Sequence, residues 1–172
     1  NFHFEMAGDL IDEEMLQLLK TAPTGLFQFE IGIQSTREDT LKIIDRKTDI
    51  EKIENAVSHL IEEDNIHIHL DLIAGLPEED ISSMAQSINH VLRMKPHRLQ
   101  LGFLKLLKGS ELRERKENYD YLFTDYPPYE VLSNHVLSYE ELDRLKKLEK
   151  QIELYYNSHR FQRSIDYLIN IK

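Results

Sequence analysis

The stretch 66–77 reads Ile-His-Ile-His-Leu-Asp-Leu-Ile-Ala-Gly-Leu-Pro, and its alternation constrains the fold more than any other feature. Successive side chains of a strand point to opposite faces. Ile66, Ile68, Leu70 and Leu72 therefore share one face, and His67, His69, Asp71 and Ile73 share the other. Three further segments repeat this split. Phe2, Phe4 and Met6 oppose His3 and Glu5. Phe27, Phe29, Ile31 and Ile33 oppose Gln28, Glu30, Gly32 and Gln34. Leu99, Leu101 and Phe103 oppose Arg98, Gln100 and Gly102.

Helical patterns lie between these segments. Asp12, Asp49 and Asp80 each precede an amphipathic run and are expected to cap it. Ser35 with Glu38 predicts a capping box for a short helix, and Ser138 with Glu141 a second one for a long helix. The order β-α-β-α-α-β-α-β, followed by helix, implies parallel strands joined by right-handed crossovers. Central strands of an open, doubly wound sheet are apolar on both faces, whereas these are apolar on one. A closed TIM barrel fills its lumen mostly with branched apolar side chains. The expected fold is therefore α/β, with a curved parallel sheet whose polar face lines a lumen for a large polar ligand.

Composition narrows the function classes. With 172 residues, 41% of them apolar and 30% charged, the chain suits one globular domain with an appendage. A net charge of −10 argues against nucleic acid as a partner. No apolar run approaches the roughly 20 residues that span a bilayer, and no secretory signal is present, so no membrane partner and a cytoplasmic location are expected. The absence of Cys excludes a disulfide scaffold and any cysteine-ligated metal within this chain. All eight Tyr lie from Tyr119 onward, which sets a soft boundary near residue 118 between a sheet-bearing unit (1–118) and a Tyr-rich loop with a helical C-terminal extension (119–172). Strand character starts at Phe2, directly after Asn1. This predicts a piece of a longer protein, removed leader residues being the other explanation. The raw strand edge at 2–6 predicts self-association as a homodimer.

Parallel α/β folds place their chemistry at the carboxyl ends of the strands. Glu5, Gln34 and Asp71 occupy such ends, and Arg46 follows in a loop on the same rim. Two carboxylates, an amide and a guanidinium would together suit an amino acid joined to a nucleoside. The plainer reading is that they satisfy one another around a wet barrel mouth. His67-Ile68-His69 supports a rival, a metal-dependent hydrolase with Asp71 as third ligand. It ranks lower because both histidines lie deeper than the rim. The tail could instead form a non-catalytic interaction module, or simply pack aromatics against the barrel.

The segments Phe29-Glu30-Ile31-Gly32-Ile33-Gln34-Ser35, then Leu41 and Arg46, then Asp71-Leu72-Ile73-Ala74-Gly75-Leu76-Pro77, resemble the second half of a radical S-adenosylmethionine enzyme. The resemblance covers 2–110 and is to the branch containing anaerobic coproporphyrinogen oxidase and the cobalamin-binding radical enzymes. The segments 99–112 and Tyr126-Pro127-Pro128-Tyr129 are similar to the C-terminal part of cobalamin-binding radical proteins. The resemblance implies the C-terminal half of a partial (β/α)6 TIM-like barrel, with this chain supplying strands three to six. It implies that Glu5 faces the methionyl ammonium, Arg46 the methionyl carboxylate, and Gln34 and Asp71 the ribose hydroxyls. The backbone of Ile73 and Gly75 would flank adenine, and Glu30, His69 and Gln100 would face a small-molecule substrate. It implies S-adenosylmethionine and a four-iron four-sulfur cluster as cofactors, with cobalamin in one branch. The cluster's cysteine loop would belong to the N-terminal half, so this piece alone is expected to be inactive.

Overall fold

The computed structural model describes residues 1–170, and the side chain of Asn170 is left out of the description. Its main body is one parallel four-stranded sheet in the order β1-β2-β3-β4, formed by Phe2–Met6, Phe27–Gln34, His67–Ala74 and Arg98–Phe103. The crossovers carry α1 (Glu13–Lys20), α2 (Glu38–Ile43), α3 (Ile50–Glu63) and α4 (Ile81–Arg93). This is the α/β order read from the alternating pattern.

The helices start where aspartates offer an acceptor to an otherwise orphaned N–H. Asp12 accepts from the Met15 amide, Asp49 from Lys52 and Asp80 from Ser83. The expected box at Ser35 and Glu38 does not form, because Ser35 is completely buried and its hydroxyl donates to Glu79 at 2.9 Å. Helix α2 starts after Arg37 without a side-chain cap. A tertiary acceptor has outcompeted the local one.

The apolar face of the sheet builds the core. Ile31, Ile33, Ile68, Leu70, Leu72 and Leu99 are buried against Ile53, Val57 and Leu60 of α3 and Met84, Ile88 and Val91 of α4. Each such side chain contributes about 1.5–3 kcal/mol on burial. Strand β1 is the exception: Phe2 and Phe4 remain 59% and 48% exposed on the face that the helices cover elsewhere.

After β4 the chain forms α5 (Glu111–Glu114), a 3-10 turn, and a two-stranded antiparallel hairpin of β5 (Leu122–Phe123) and β6 (Val131–Ser133). The alternating pattern did not reveal this hairpin, whose strands are too short to show a period. It is followed by α6 (Tyr139–Gln151), which has the full Ser138–Glu141 capping box, a π-helical turn (Ile152–Asn157) and α7 (Gln162–Asn170). Among the described residues no helix is long and apolar enough to cross a membrane.

Candidate functional site

Parallel register turns the polar faces of the strands into rows. His3, Gln28 and His67 form the deepest row. Glu5, Glu30, His69 and Arg98 form the next, and Gly32, Asp71 and Gln100 the one above it. The upper rows open into a cavity of about 840 Å³ lined by Glu5, Glu30, Gln34, Arg46, Asp71 and Ile73, with Gln100 beside Asp71 on β4. Seven of the sequence-predicted residues thus meet in one space. His69 lies a row deeper than Asp71, outside this lining, and Gly75 is buried behind it.

Local geometry explains how the rim residues reach in. The β2–β3 register shifts between Gly32 and Gln34, so β2 bulges at its end. Bulges of this kind re-aim a side chain. Gln34 there adopts a left-handed φ of 69°, a conformation that costs a non-glycine residue about 1–3 kcal/mol and clusters at functional sites. Gly32 makes room: a Cβ at this position would sit 2.2 Å from Gln34 Nε2 and 3.2 Å from Arg46 Nη2. Arg46 comes from the loop after α2 and donates from Nη2 to the Gly32 carbonyl at 2.7 Å, which anchors its guanidinium over the strand end.

The electrostatics are unusual for groups that merely satisfy one another. Gln34 Oε1, Arg46 Nε and Asp71 Oδ1 are buried atoms that have no hydrogen-bond partner among the described residues. Buried polar atoms are ordinarily paired, and an unpaired one costs about 1–3 kcal/mol. Asp71 is also pushed up to a pKa of about 7, first by burial, then by the hydrogen bond and charge of Glu30, then by the charge of Glu5. Arg98 opposes that shift. All three residues line one cavity, and an amide, a guanidinium and a carboxyl together suit a ligand with hydroxyl and carboxylate groups. Internal pairing of the rim is partial: Arg46 bonds the Gly32 carbonyl and Asp71 bonds Glu30, while these three atoms have no partner among the described residues.

The metal-hydrolase reading is corrected here. Among the described residues no group of three or more His, Cys, Asp or Glu is placed to hold a metal ion. The His67 and His69 rings lie edge to face at 4.7 Å, His67 leans on His97 at 4.8 Å, and Asp71 turns toward Glu30. Burial holds His69 down to about pKa 4.

Some lining residues escaped the strand pattern. Beyond Phe103, which the pattern puts on the apolar face of β4, Leu104, Lys105 and Glu130 complete the wall. Lys105 and Glu130 pair as an isolated antiparallel bridge, and Glu130 forms an ion pair with Lys146. Position just past β4 could have suggested Lys105. Nothing in the local sequence marks Glu130, which arrives on the tail hairpin.

Comparison with known proteins places this geometry in a family. A family profile described as the radical SAM superfamily matches residues 1–91, and one described as a protein of unknown function (DUF4080) matches residues 117–172. The oxygen-independent coproporphyrinogen III oxidase of Paracoccus denitrificans is 30% identical over 100 residues, covering 58% of this chain and 22% of that protein. The chain therefore spans 22% of the length of that relative. Coproporphyrinogen III oxidase (HemN) from Escherichia coli, described as a radical SAM enzyme, superposes with a TM-score of 0.63 at 21% identity, over 88% of this chain and 32% of that one. The radical S-adenosylmethionine methyltransferase TsrM from Kitasatospora setae, with cobalamin and a 4Fe-4S cluster bound, gives 0.58 at 16% identity, over 79% of this chain and 27% of that one. Both superpositions describe the fold.

Proposed function

The chain belongs to the radical SAM superfamily, and we propose that its polar cavity is the S-adenosylmethionine wall of such an enzyme, continuing inward to the substrate. The observation that carries this reading is the trio of buried, unpartnered atoms on Gln34, Arg46 and Asp71 in one cavity. Their chemistry fits the cofactor: two acceptors for hydroxyls and one guanidinium edge for a carboxylate.

In this reading Arg46, steadied by the Gly32 carbonyl, turns its free Nε edge to the methionyl carboxylate. Glu5 receives the ammonium. Gln34 Oε1 and Asp71 Oδ1 accept from the ribose hydroxyls, and the end of β3 at Ile73 flanks the base. Glu30, a row below Asp71, and Gln100, beside it on β4, face the substrate. When bound and reductively cleaved, S-adenosylmethionine supplies radical hydrogen abstraction. The chain's own residues hold it in register and exclude bulk water from its nucleoside end.

The iron–sulfur cluster does not fit the residues present, because this chain has no cysteine thiolate to ligate it. Its ligands would come from the N-terminal half of the same protein. Cobalamin use is supported by fold likeness to TsrM alone, and no residue of this cavity is assigned to it.

The test uses the full-length protein under anaerobic conditions. Calorimetry should show binding of S-adenosylhomocysteine, and reduction in the presence of S-adenosylmethionine should yield deoxyadenosine. Arg46→Ala and Asp71→Ala should weaken binding and stop cleavage. Full cleavage in both variants would sink the assignment.

A further inference from the structure

The turn that leaves β3 is held from behind by an unbroken run of carbonyl contacts. The Ala74 carbonyl accepts from the Leu104 amide at 2.9 Å. The Gly75 carbonyl accepts from Tyr121 Oη at 2.9 Å and from Asn134 Nδ2 at 3.3 Å. Asn134 Nδ2 also reaches the Leu76 carbonyl at 3.4 Å, and the Pro77 carbonyl accepts from Thr40 Oγ1 at 2.9 Å. Four consecutive carbonyls are thus engaged, two of them by side chains of the tail.

Both tail side chains are built for this contact. Tyr121 and Asn134 are each 9% exposed. Burial pushes the Tyr121 phenol up, so its hydroxyl keeps the proton it donates. The Asn134 amide cannot flip freely. Its Oδ1 accepts from the Val136 and Leu137 amides at 3.0 and 2.7 Å, which leaves Nδ2 to face the carbonyls. Gly75 has a left-handed φ of +93°, and a Cβ there would lie 3.5 Å from Leu104 Cβ and 3.7 Å from Val131 Cγ1. The turn therefore packs directly on the hairpin. The hairpin also touches the rim itself: the Val131 amide donates to the Leu104 carbonyl, and Leu104 lines the cavity.

We propose that Tyr121 and Asn134 are positioning residues for the nucleoside end of the cofactor site, holding the β3 exit turn through the Gly75 carbonyl. This assigns the tail unit a task in the cavity. It rests on the S-adenosylmethionine reading given above. The two residues touch no ligand. They fix the height and angle of the backbone that runs from Ile73 to Gly75, against which a base would stack. Methionyl contacts at Arg46 and Glu5 lie on other strands and loops, so they are independent of the clamp.

The experiment compares two ligands in the full-length protein. Tyr121→Phe removes only the hydroxyl, and Asn134→Ala removes the amide. S-adenosylhomocysteine should bind roughly threefold to tenfold more weakly to either variant, the range set by one lost neutral hydrogen bond. Methionine alone, followed by saturation-transfer NMR, should bind as to the wild type. Asp71→Ala serves as the reference for the site itself. Unchanged S-adenosylhomocysteine affinity in Tyr121→Phe, with Asp71→Ala impaired, overturns the clamp and leaves the cofactor reading intact. Equal weakening of both ligands also overturns it, since that is general loosening. Failure of the wild type to bind S-adenosylhomocysteine overturns both readings. Should Asn134→Ala fail to fold, Tyr121→Phe alone decides.

Discussion

Asp71→Asn should stabilise the ligand-free protein at alkaline pH while weakening its hold on a nucleoside. Asp71 is raised from 3.8 to about 7 by burial, by Glu30 and by Glu5. In the unfolded chain the same carboxyl ionises near its ordinary value. Between these limits the folded state keeps a proton that the unfolded state has lost, so its share of stability is present at low pH and disappears as pH rises through about 7. A displacement of that size has a ceiling of about 4 kcal/mol. Asp71 is only partly buried, and solvent screening reduces the figure to about 2 kcal/mol. Asparagine removes the charge and can donate to Glu30. Urea unfolding of wild type and variant from pH 4 to pH 8.5 would measure it. The free-energy difference should be small at the acid end and favour Asp71→Asn by about 2 kcal/mol at the alkaline end. Taking the difference matters, because His69 contributes with the opposite sign in an overlapping window. A flat difference, or a variant less stable than wild type at pH 8, would show that Asp71 is not held in a hostile environment.

Other perturbations follow from single contacts. Gly32→Ala should weaken S-adenosylhomocysteine at least about tenfold with little change in Tm, because the new methyl displaces Gln34 and Arg46 side chains at the cavity and leaves the core alone. Calorimetry with a parallel melting curve separates the two effects. His69, held down to about pKa 4 mainly by burial, must gain a proton on unfolding. Its contribution to stability should therefore fall as pH drops from 6.5 toward 4, against the rise that Asp71 supplies in the same window, so in the same urea series wild type should lose stability relative to His69→Gln as the pH is lowered. The exposed Phe2 and Phe4 on edge strand β1 should make the isolated chain self-associate with rising concentration, and Phe4→Lys should shift it toward monomer in light scattering.

Much of this architecture was legible because it rests on local rules. Period-two alternation marks all four strands, and Asp12, Asp49, Asp80 and Ser138 cap the helices they precede. The rows of the cavity follow from that alternation once parallel pairing is granted. What escaped depends on partners distant in sequence. Glu79 sits in an acidic run that reads as solvated surface, yet it is completely buried and accepts from Ser35 and Ser87 at 2.9 and 2.8 Å. That contact also removed Ser35 from its expected cap. The hairpin was invisible for a different reason: two- and three-residue strands carry no period, and their pairing is set by Leu104 and Lys105 beyond β4. The aromatic residues of the tail were countable, but whether Tyr121 packs or donates depends on a carbonyl 46 residues away.

The way the site is supported follows from its cost. A wall carrying Glu5, Glu30 and Asp71, with three buried atoms unpaired among the described residues, contributes little to its own stability. The compensation lies in ties to the surrounding backbone and side chains. Gly32 is anchored through Arg46, the β2 and β3 exits are joined through Glu79 with Ser35 and Ser87, and the β3 turn is fixed by Thr40, Tyr121 and Asn134. The ties made by Thr40, Glu79, Tyr121 and Asn134 come from residues outside the cavity lining, whereas Arg46 belongs to it. A strand end fixed in this manner can present a bulge and a left-handed glutamine without collapsing onto its own charges. The apolar face supplies the stability, the ties supply the precision, and the polar face remains available for binding.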